Sequence, residues 1–434
     1  MNIDSLLQPF QRFGVHLGLE RIEKLLATLG NPHHQVPVIH VAGTNGKGSV
    51  CAYLSSVLTA SGYRTGRYTS PHLVDWTERI TLNEQPISQE ELSQIILQIQ
   101  AAINPNQESP TQFEVITAAA LLYFAQAKVD VAVVEVGLGG RLDATNVTSH
   151  PLVTIITSIS REHWQQLGST VADIAGEKAG ILKPGCPAVI GQLPPDAQEV
   201  VKNRIQYLQC PVVFPQPARE LSPGWAAYEI TPNPKSNIQK SIKYPLPLAG
   251  QIQLSNSALA IATLNILQQQ GWEIPEAAII NGMAKTKWPG RMQWTNWRNH
   301  KLLIDGAHNP AAAQVLRDYV DSLEDVTSVT WVMGMLSTKD HAEIFQALLR
   351  PQDKLYLLPV PDHSTAEPEY LAKLAVEICP QLSECLTYPD VIAGLEAAFT
   401  GDENLVVLCG SLYLLGHFLG MGHTLISRIS RIHG

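Results

Sequence analysis

The sequence predicts an α/β protein built on a doubly wound parallel sheet, followed by a second, smaller α/β unit. Three observations carry this. Short runs rich in Val and Ile alternate with helical stretches through the first 190 or so residues. A glycine-rich turn joins one such run to the helix after it, and beyond residue 300 the alternation starts again. Strands covered on both faces read as continuous apolar runs, which is the pattern of a parallel sheet.

Residues 37–43 (PVIHVAG) read as a buried strand, and 49–62 (SVCAYLSSVLTASG) as a helix closed by Gly62. Residues 65–70 (TGRYTS) give a second short strand. Residues 90–103 and 113–127 read as amphipathic or buried helices, 129–137 (VDVAVVEVG) and 152–159 (LVTIITSI) as apolar strands. The stretch 169–182 is helical, stopped by Pro184-Gly185, and 187–191 is one more strand. Residues 211–250, rich in proline and polar side chains, suit loops and edge strands on the first domain, and a helix follows at 255–270. From Trp288 to His300 there is no clear period. Strands then return at the start of 301–310 and at 328–335, 353–360 and 404–411. The expected domains are 1–296 and 297–434.

Composition narrows the function classes. At 434 residues the chain exceeds one ordinary core. With 45% hydrophobic and 16% charged residues it is globular, and a net charge of −9 leaves no broad basic footprint for nucleic acid. The six cysteines are scattered without a C-x-x-C pair, as expected of reduced thiols in the cytoplasm. The start, MNIDSLLQPFQRFG, lacks the apolar core of a signal peptide. No apolar run reaches the roughly 18 residues of a membrane helix.

The strongest local motif is Gly43-Thr44-Asn45-Gly46-Lys47-Gly48-Ser49, between an expected strand and an expected helix. Glycines let backbone N–H groups turn toward phosphate oxygens, Lys47 brings a positive charge, and the helix N-terminus adds its dipole. The Ser49 hydroxyl could reach a magnesium ion. The spacing departs from G-x-x-x-x-G-K-[ST], since Gly48 separates Lys47 from Ser49. A GTPase-like switch is disfavoured because no N-K-x-D segment is present. Glu135 ends an apolar strand at the sheet edge beside this loop, where a carboxylate can hold magnesium. Arg141 and Asp143 are the polar candidates of GLGGRLDATN (137–146). His163 follows the 152–159 strand at the same edge and could ligate a second metal, although a lone loop histidine is more often structural. Lys178 on its expected helix reads locally as a solvated lysine. Asn256 can read an adenine edge or cap a helix. Arg291 can clamp a phosphate or pair at the surface. Asp305 and His308 lie on a strand-to-helix turn, and together these residues suggest a second half of a nucleotide site.

In this order, HLGLERI (16–22), HVAGTNGKGS (40–49), YTSPHLVDWTERI (68–80), FEVITA (113–118), VEVGLGGRLDATNV (134–147), LGSTVADIAGEKAGILKPG (167–185), WPGR (288–291), DGAHNP (305–310) and GSLYLLG (410–416) resemble the folylpolyglutamate synthase/dihydrofolate synthase family of the Mur ligase superfamily. The segments span nearly the whole chain. The resemblance implies a phosphate-loop, ATP-binding domain carrying the folate site, followed by a Rossmann-like C-terminal ligase domain. It implies ATP-dependent addition of L-glutamate to dihydropteroate and to reduced folates through an acyl phosphate, by a cytoplasmic monomer. One-activity synthases and other Mur-type amino-acid ligases are the alternatives. Only about 40 residues precede the phosphate loop, too few for the extra nucleotide-sugar domain of the latter. A non-catalytic nucleotide-binding scaffold is the rival of another class, and it would have no use for Lys178.

By the same resemblance Gly43 to Ser49 cradle the ATP phosphates, and Asn256, Arg291, Asp305 and His308 complete the ATP contacts. Ser70, Glu135 and His163 hold magnesium, with two ions expected, and Glu135, His163 and Lys178 act in catalysis. Lys178 matches a lysine that is carbamylated in these ligases. Thr111, Gln112, Phe113 and Glu114, with Leu142, Asp143 and Ala144, match the pteridine site, where Phe113 could stack on the ring. The chain departs from the family at Ile252-Gln253 (usually His-Gln), Glu162-His163 (usually Asp-His) and Thr338-Lys339-Asp340 (usually Asp-Lys-Asp). Those changes bear on adenine packing and on the surroundings of the metal.

Overall fold

A computed structural model of the chain describes residues 2–11, 16–230, 240–324, 326, 328–400 and 405–421. The chain divides into two compact units, Met1–Pro247 with Gln253–Lys287, and Leu248–Ile252 with Trp288–Gly434.

The first unit holds an eight-stranded sheet of β1 (Val38–Ala42), β2 (Thr65–Tyr68), β3 (Ile80–Leu82), β4 (Gln85–Pro86), β5 (Val131–Glu135), β6 (Val153–Ile156), β7 (Ala188–Ile190) and β8 (Val212–Val213). Their order is β4-β3-β2-β5-β1-β6-β7-β8. From β2 to β8 all pairings are parallel. The sheet is mixed and not purely parallel, because β3 and β4 add an antiparallel edge hairpin. Asn83 and Glu84, both at positive φ, make the tight turn that such a hairpin needs. Strands β2 and β5 lie on one side of β1 and β6 to β8 on the other. The carboxyl end of β1 is therefore the switch point where doubly wound sheets bind ligands.

Every residue of β1, β5 and β6 is buried, as their unbroken apolar text predicts. The expected helices appear at Lys47–Ala60, Gln89–Ala102, Gln112–Gln126, Val171–Ala179 and Ile252–Gln269. The helix Lys47–Ala60 is buried on all sides through its middle. A Cβ on Gly282, in the helix Glu276–Lys285, would lie 2.4 Å from the Val57 Cα, so that neighbour packs backbone to backbone. Within 211–250, β9 (Arg219–Ser222), β10 (Trp225–Ile230) and β11 (Lys240–Pro245) form a separate antiparallel sheet.

The second unit carries β12 (Gln293–Trp297), β13 (His300–Ile304), β14 (Val329–Met333), β15 (Lys354–Leu357), β16 (Glu384–Thr387) and β17 (Leu405–Cys409), ordered β12-β13-β17-β14-β15-β16. All pairs are parallel except β12 with β13. Two of these strands, β12 and β16, lay hidden in the sequence because their side chains are only half covered. By Cα packing this unit takes in Leu248–Ile252 and then Trp288 onward, and β12 pairs along its length with β13.

Candidate active site

The loop Gly43–Ser49 leaves the carboxyl end of β1 and enters the helix Lys47–Ala60. Two glycines are obligatory by space. A Cβ on Gly43 (φ +152°) would lie 1.9 Å from Thr157 Oγ1, and one on Gly46 (φ +88°) 2.5 Å from Asn256 Oδ1. The loop is pinned by hydroxyl residues after β6. Thr44 N donates to Ser158 O at 2.7 Å, Asn45 N to Ser158 Oγ at 3.0 Å, and Ser160 N to Thr44 Oγ1 at 3.1 Å. Thr157 Oγ1 donates to Asn45 O at 2.6 Å. The sequence reading missed Thr157, Ser158 and Ser160, yet their text, TSIS, directly follows the strand beside β1. Ser49 is buried in the helix's first turn, and the Asn256 amide donates to Gln253 at 3.1 Å.

Charges converge under the loop. Lys47 Nζ donates to Gly43 O at 3.1 Å and to Thr44 O at 3.0 Å, and lies 3.9 Å from Glu135 Oε1. Glu135, the last residue of β5, accepts from Ser70 N at 3.3 Å on its other oxygen. Ser70 and Glu135, two of the three expected metal ligands, are therefore neighbours. Local reading placed Lys178 in solvent, and the structure corrects this: it is buried, and its Nζ donates to Gly43 O at 2.8 Å. The helix Val171–Ala179 turns that face beneath the glycine loop. Burial, with repulsion from Lys47, lowers the Lys178 amine to about 7, against the pull of Glu162 and Asp143. His163 stands at left-handed φ with its side chain 45% exposed, its Nε2 3.9 Å from Glu162 Oε1. Among the described residues no group of three or more His, Cys, Asp and Glu side chains is placed to hold a metal.

The expected pteridine stretch serves the fold first. Thr111 caps the helix Gln112–Gln126 in a capping box with Glu114. The buried Glu114 carboxylate accepts from Thr111 N at 2.6 Å and from Arg21 Nε at 3.1 Å on each oxygen. Gln112 is half-buried in the first turn. The Phe113 ring covers Gly137, where a Cβ would lie 2.3 Å from its Cζ. Asp143 is buried and accepts from Leu138 N at 2.7 Å, Thr145 N at 3.0 Å and Thr145 Oγ1 at 2.5 Å. Burial pushes its carboxyl up while these hydrogen bonds oppose. Thr145 gives its one proton to Asp143, so the imidazole 2.8 Å away, His40 Nε2, must be the donor of that pair. Burial holds His40 neutral, at about 3. Ala144 is buried, and Leu142 lines a cavity of about 410 Å³ with Leu19, Arg21, Leu25, Ile103 and Pro110.

In the second unit Asp305 accepts from Met292 N and Ala307 N, both at 2.8 Å. Burial raises its carboxyl and the Arg291 charge opposes that rise. A Cβ on Gly306 would lie 2.5 Å from Arg291 Nη1, and the His308 ring bonds Gly306 O at 2.7 Å. Arg291, Asp305 and His308 are thus gathered on the turn after β13.

Two family models match: the Mur ligase middle domain over residues 41–264 and the dihydrofolate synthetase C-terminal domain over 291–421. Among curated proteins, the dihydrofolate synthetase of Saccharomyces cerevisiae is 36% identical, covering 93% of this chain and 97% of its own length. The dihydrofolate synthase/folylpolyglutamate synthase of Bacillus subtilis is 34% identical over 93% of this chain and 94% of its own. The chain belongs to the dihydrofolate synthase/folylpolyglutamate synthase family of Mur ligases. Solved structures of the family agree. E. coli FolC in complex with DHPP and ADP superposes with a TM-score of 0.81 at 32% identity, covering 98% of this chain and 97% of that one. A Mycobacterium tuberculosis folylpolyglutamate synthase complexed with ADP and AMPPCP gives 0.82 at 31%, covering 95% and 96%. A Yersinia pestis bifunctional member at 0.80 and 31%, covering 96% and 97%, carries AMPPNP and a Mn ion. The family's two units are the mixed sheet around β1 and the mostly parallel sheet around β17.

Proposed function

We propose that this chain is an ATP-dependent ligase that joins L-glutamate to the carboxylate of dihydropteroate and of reduced folates, releasing ADP and phosphate. The observation that carries the reading is the convergence of Lys47, Lys178 and Glu135 beneath a glycine loop at the sheet's switch point.

The donors at the loop fit a hard divalent cation. Ser70 and Glu135 would hold one magnesium ion through oxygen, neutralising phosphate charge, and a second ion at His163 rests on the family resemblance. Lys47 already points its ammonium at loop carbonyls and can exchange them for phosphate oxygens. The acceptor carboxylate attacks the γ-phosphorus of ATP, ADP leaves, and an acyl phosphate forms. The glutamate amine then attacks the acyl carbon and loses a proton. The tetrahedral adduct expels phosphate and leaves an amide. Positioning and charge neutralisation supply most of the rate.

Lys178 is the residue a carbamate suits. An amine at about 7 is substantially neutral at physiological pH, and only the neutral amine adds CO2. The product is an anion close to Lys47. Replacing Lys178 by Ala should lower ADP release about 10²–10³-fold, the size of one lost charge-stabilising group. Acetate should restore part of it by standing in for the carbamate. Loss without rescue would leave Lys178 as a bare amine.

The cavity beside Leu142 is the proposed acceptor site, with Phe113 and the Gly137–Ala144 loop as its neighbours in sequence and Arg21 for charge. A cytoplasmic setting suits the six unbridged thiols. No helix among the described residues is long and apolar enough to cross a membrane.

The deciding assay is ADP release with ATP, magnesium and glutamate, supplying dihydropteroate and tetrahydrofolate separately. Turnover with both is the expected result. Turnover with tetrahydrofolate alone gives a one-activity folylpolyglutamate synthase, and turnover with dihydropteroate alone a one-activity dihydrofolate synthase. Turnover with neither overturns the reading.

A further inference from the structure

The entries to β7 and β8 repeat one short text. Cys186-Pro187-Ala188-Val189 leads into β7 and Cys210-Pro211-Val212-Val213 into β8, 24 residues apart. The strands pair in parallel at that same offset, Ala188 opposite Val212 and Val189 opposite Val213. Hydrogen bonds on both sides of the cysteines share one stagger, each donor bonding the carbonyl just before its 24-residue partner: Ala188 N donates to Pro211 O at 2.8 Å and Gly185 N to Leu208 O at 2.9 Å. The cysteines lie just before the paired residues, and carrying the stagger back two positions sets Cys186 beside Cys210, whose thiol it influences. One carbonyl binds both residues: Lys183 O accepts from Cys186 N at 3.1 Å and from the Cys210 thiol at 3.3 Å. Neighbouring strands stand about 4.8 Å apart. That lies inside the roughly 4.4–6.8 Å range of Cα separations a disulfide spans. Both thiols are reduced here, and each residue keeps 7% of its surface exposed on the edge of the sheet.

We propose that Cys186 and Cys210 form an oxidisable dithiol, which a small-molecule disulfide converts to an intramolecular bridge stapling β8 to β7. The Cys186 thiolate, beside the Lys183 amine, attacks one sulfur of the oxidant and releases one thiolate. The Cys210 thiolate then attacks the mixed disulfide at Cys186 and releases the second. The two cysteine protons pass to the released thiolates. The protein loses two electrons and the oxidant gains them. Burial raises both thiols, so exchange accelerates as pH rises above neutrality.

The bridge lies at the amino ends of the parallel strands, opposite the phosphate loop at the carboxyl end of β1. It closes a surface segment without touching the site, so it registers in stability and not in turnover. The test is incubation of the full-length, folded chain with oxidised glutathione at pH 7.0 and 8.5. The expected result is a fall from six to four titratable thiols, faster at pH 8.5. Tryptic peptides carrying Cys186 and Cys210 should be joined, Tm should rise by a few degrees, and dithiothreitol should reverse all of it. Cys186→Ser and Cys210→Ser should each stop at a single mixed disulfide or none. Six surviving thiols in the wild-type chain, two separate glutathione adducts, or a bridge between other cysteines would each overturn the proposal.

Discussion

Burial of Lys178 beneath Gly43 has a consequence for stability as well as chemistry. Its amine titrates at about 7 in the folded chain against an ordinary 10.5. Between those values the unfolded chain binds more protons, so stability rises with pH across that window. Below about 7 the penalty for burying the ammonium is present in full, and above 10.5 this group adds nothing further. Urea midpoints in CO2-free buffer should therefore climb between pH 7 and 10. Lys178→Met should flatten that slope and exceed the wild type in stability at pH 6.5. Equal slopes would mean that the amine is solvated. Nothing in GEKAGILK announces this burial, since the text around the lysine is that of any amphipathic helix. The glycine turn from Gly43 to Lys47, by contrast, was legible as a strand-to-helix turn, because glycines at those positions mark a sharp reversal between an apolar run and a helix.

The helix Gln112–Gln126 shows how one element can hold residues of two kinds. Glu114 accepts the capping hydrogen bond from Thr111 and the Arg21 fork at once. Glu114→Ala should cost about 2 kcal/mol, because it removes the reciprocal half of the capping box and the buried carboxylate of the Arg21 fork, while Arg21 keeps Glu108 and the His16 carbonyl. Thermal melts should show that loss first, with any rise in acceptor KM following from it. A raised KM at unchanged Tm would instead mean that the carboxylate touches the acceptor. The capping box went unread, because Thr111 and Glu114 were given to the pteridine site, although the spacing T-x-x-E carries it. Arg21 was not readable as its partner, because the two residues are 93 apart in the chain. The hydroxyls of Thr157, Ser158 and Ser160 were missed for the same reason: they meet the loop only because β6 lies beside β1.

For the molecule as a whole, nucleotide binding should appear as stabilisation of the folded chain. A non-hydrolysable ATP analogue with magnesium, at 100 times its Kd, should add about 2.7 kcal/mol to the folded state and raise Tm. Gly43→Ala should erase that shift, since the added Cβ would occupy the place of Thr157 Oγ1 and move the carbonyl that Lys47 and Lys178 share. Calorimetry on both proteins, with and without the analogue, checks this. An undiminished shift in the variant would show that the loop does not carry the phosphates.

The sequence by itself determined the alternation of strand and helix, the glycine-rich turn after β1 and Glu135 at the end of its strand. Each of these follows from apolar periodicity or from residue types that only one local geometry accommodates. Tertiary structure alone decided the antiparallel edges at β3–β4, too short to show a period, and at β12, where half-covered side chains blur it. It alone decided the burial of Lys178, the locking of Glu114 by Arg21, the partnership of Asp143 with Thr145 and His40, and the alignment of Cys186 with Cys210. These depend on which strands become neighbours, and strand order is set by the packing of the whole sheet and not by any window of the chain.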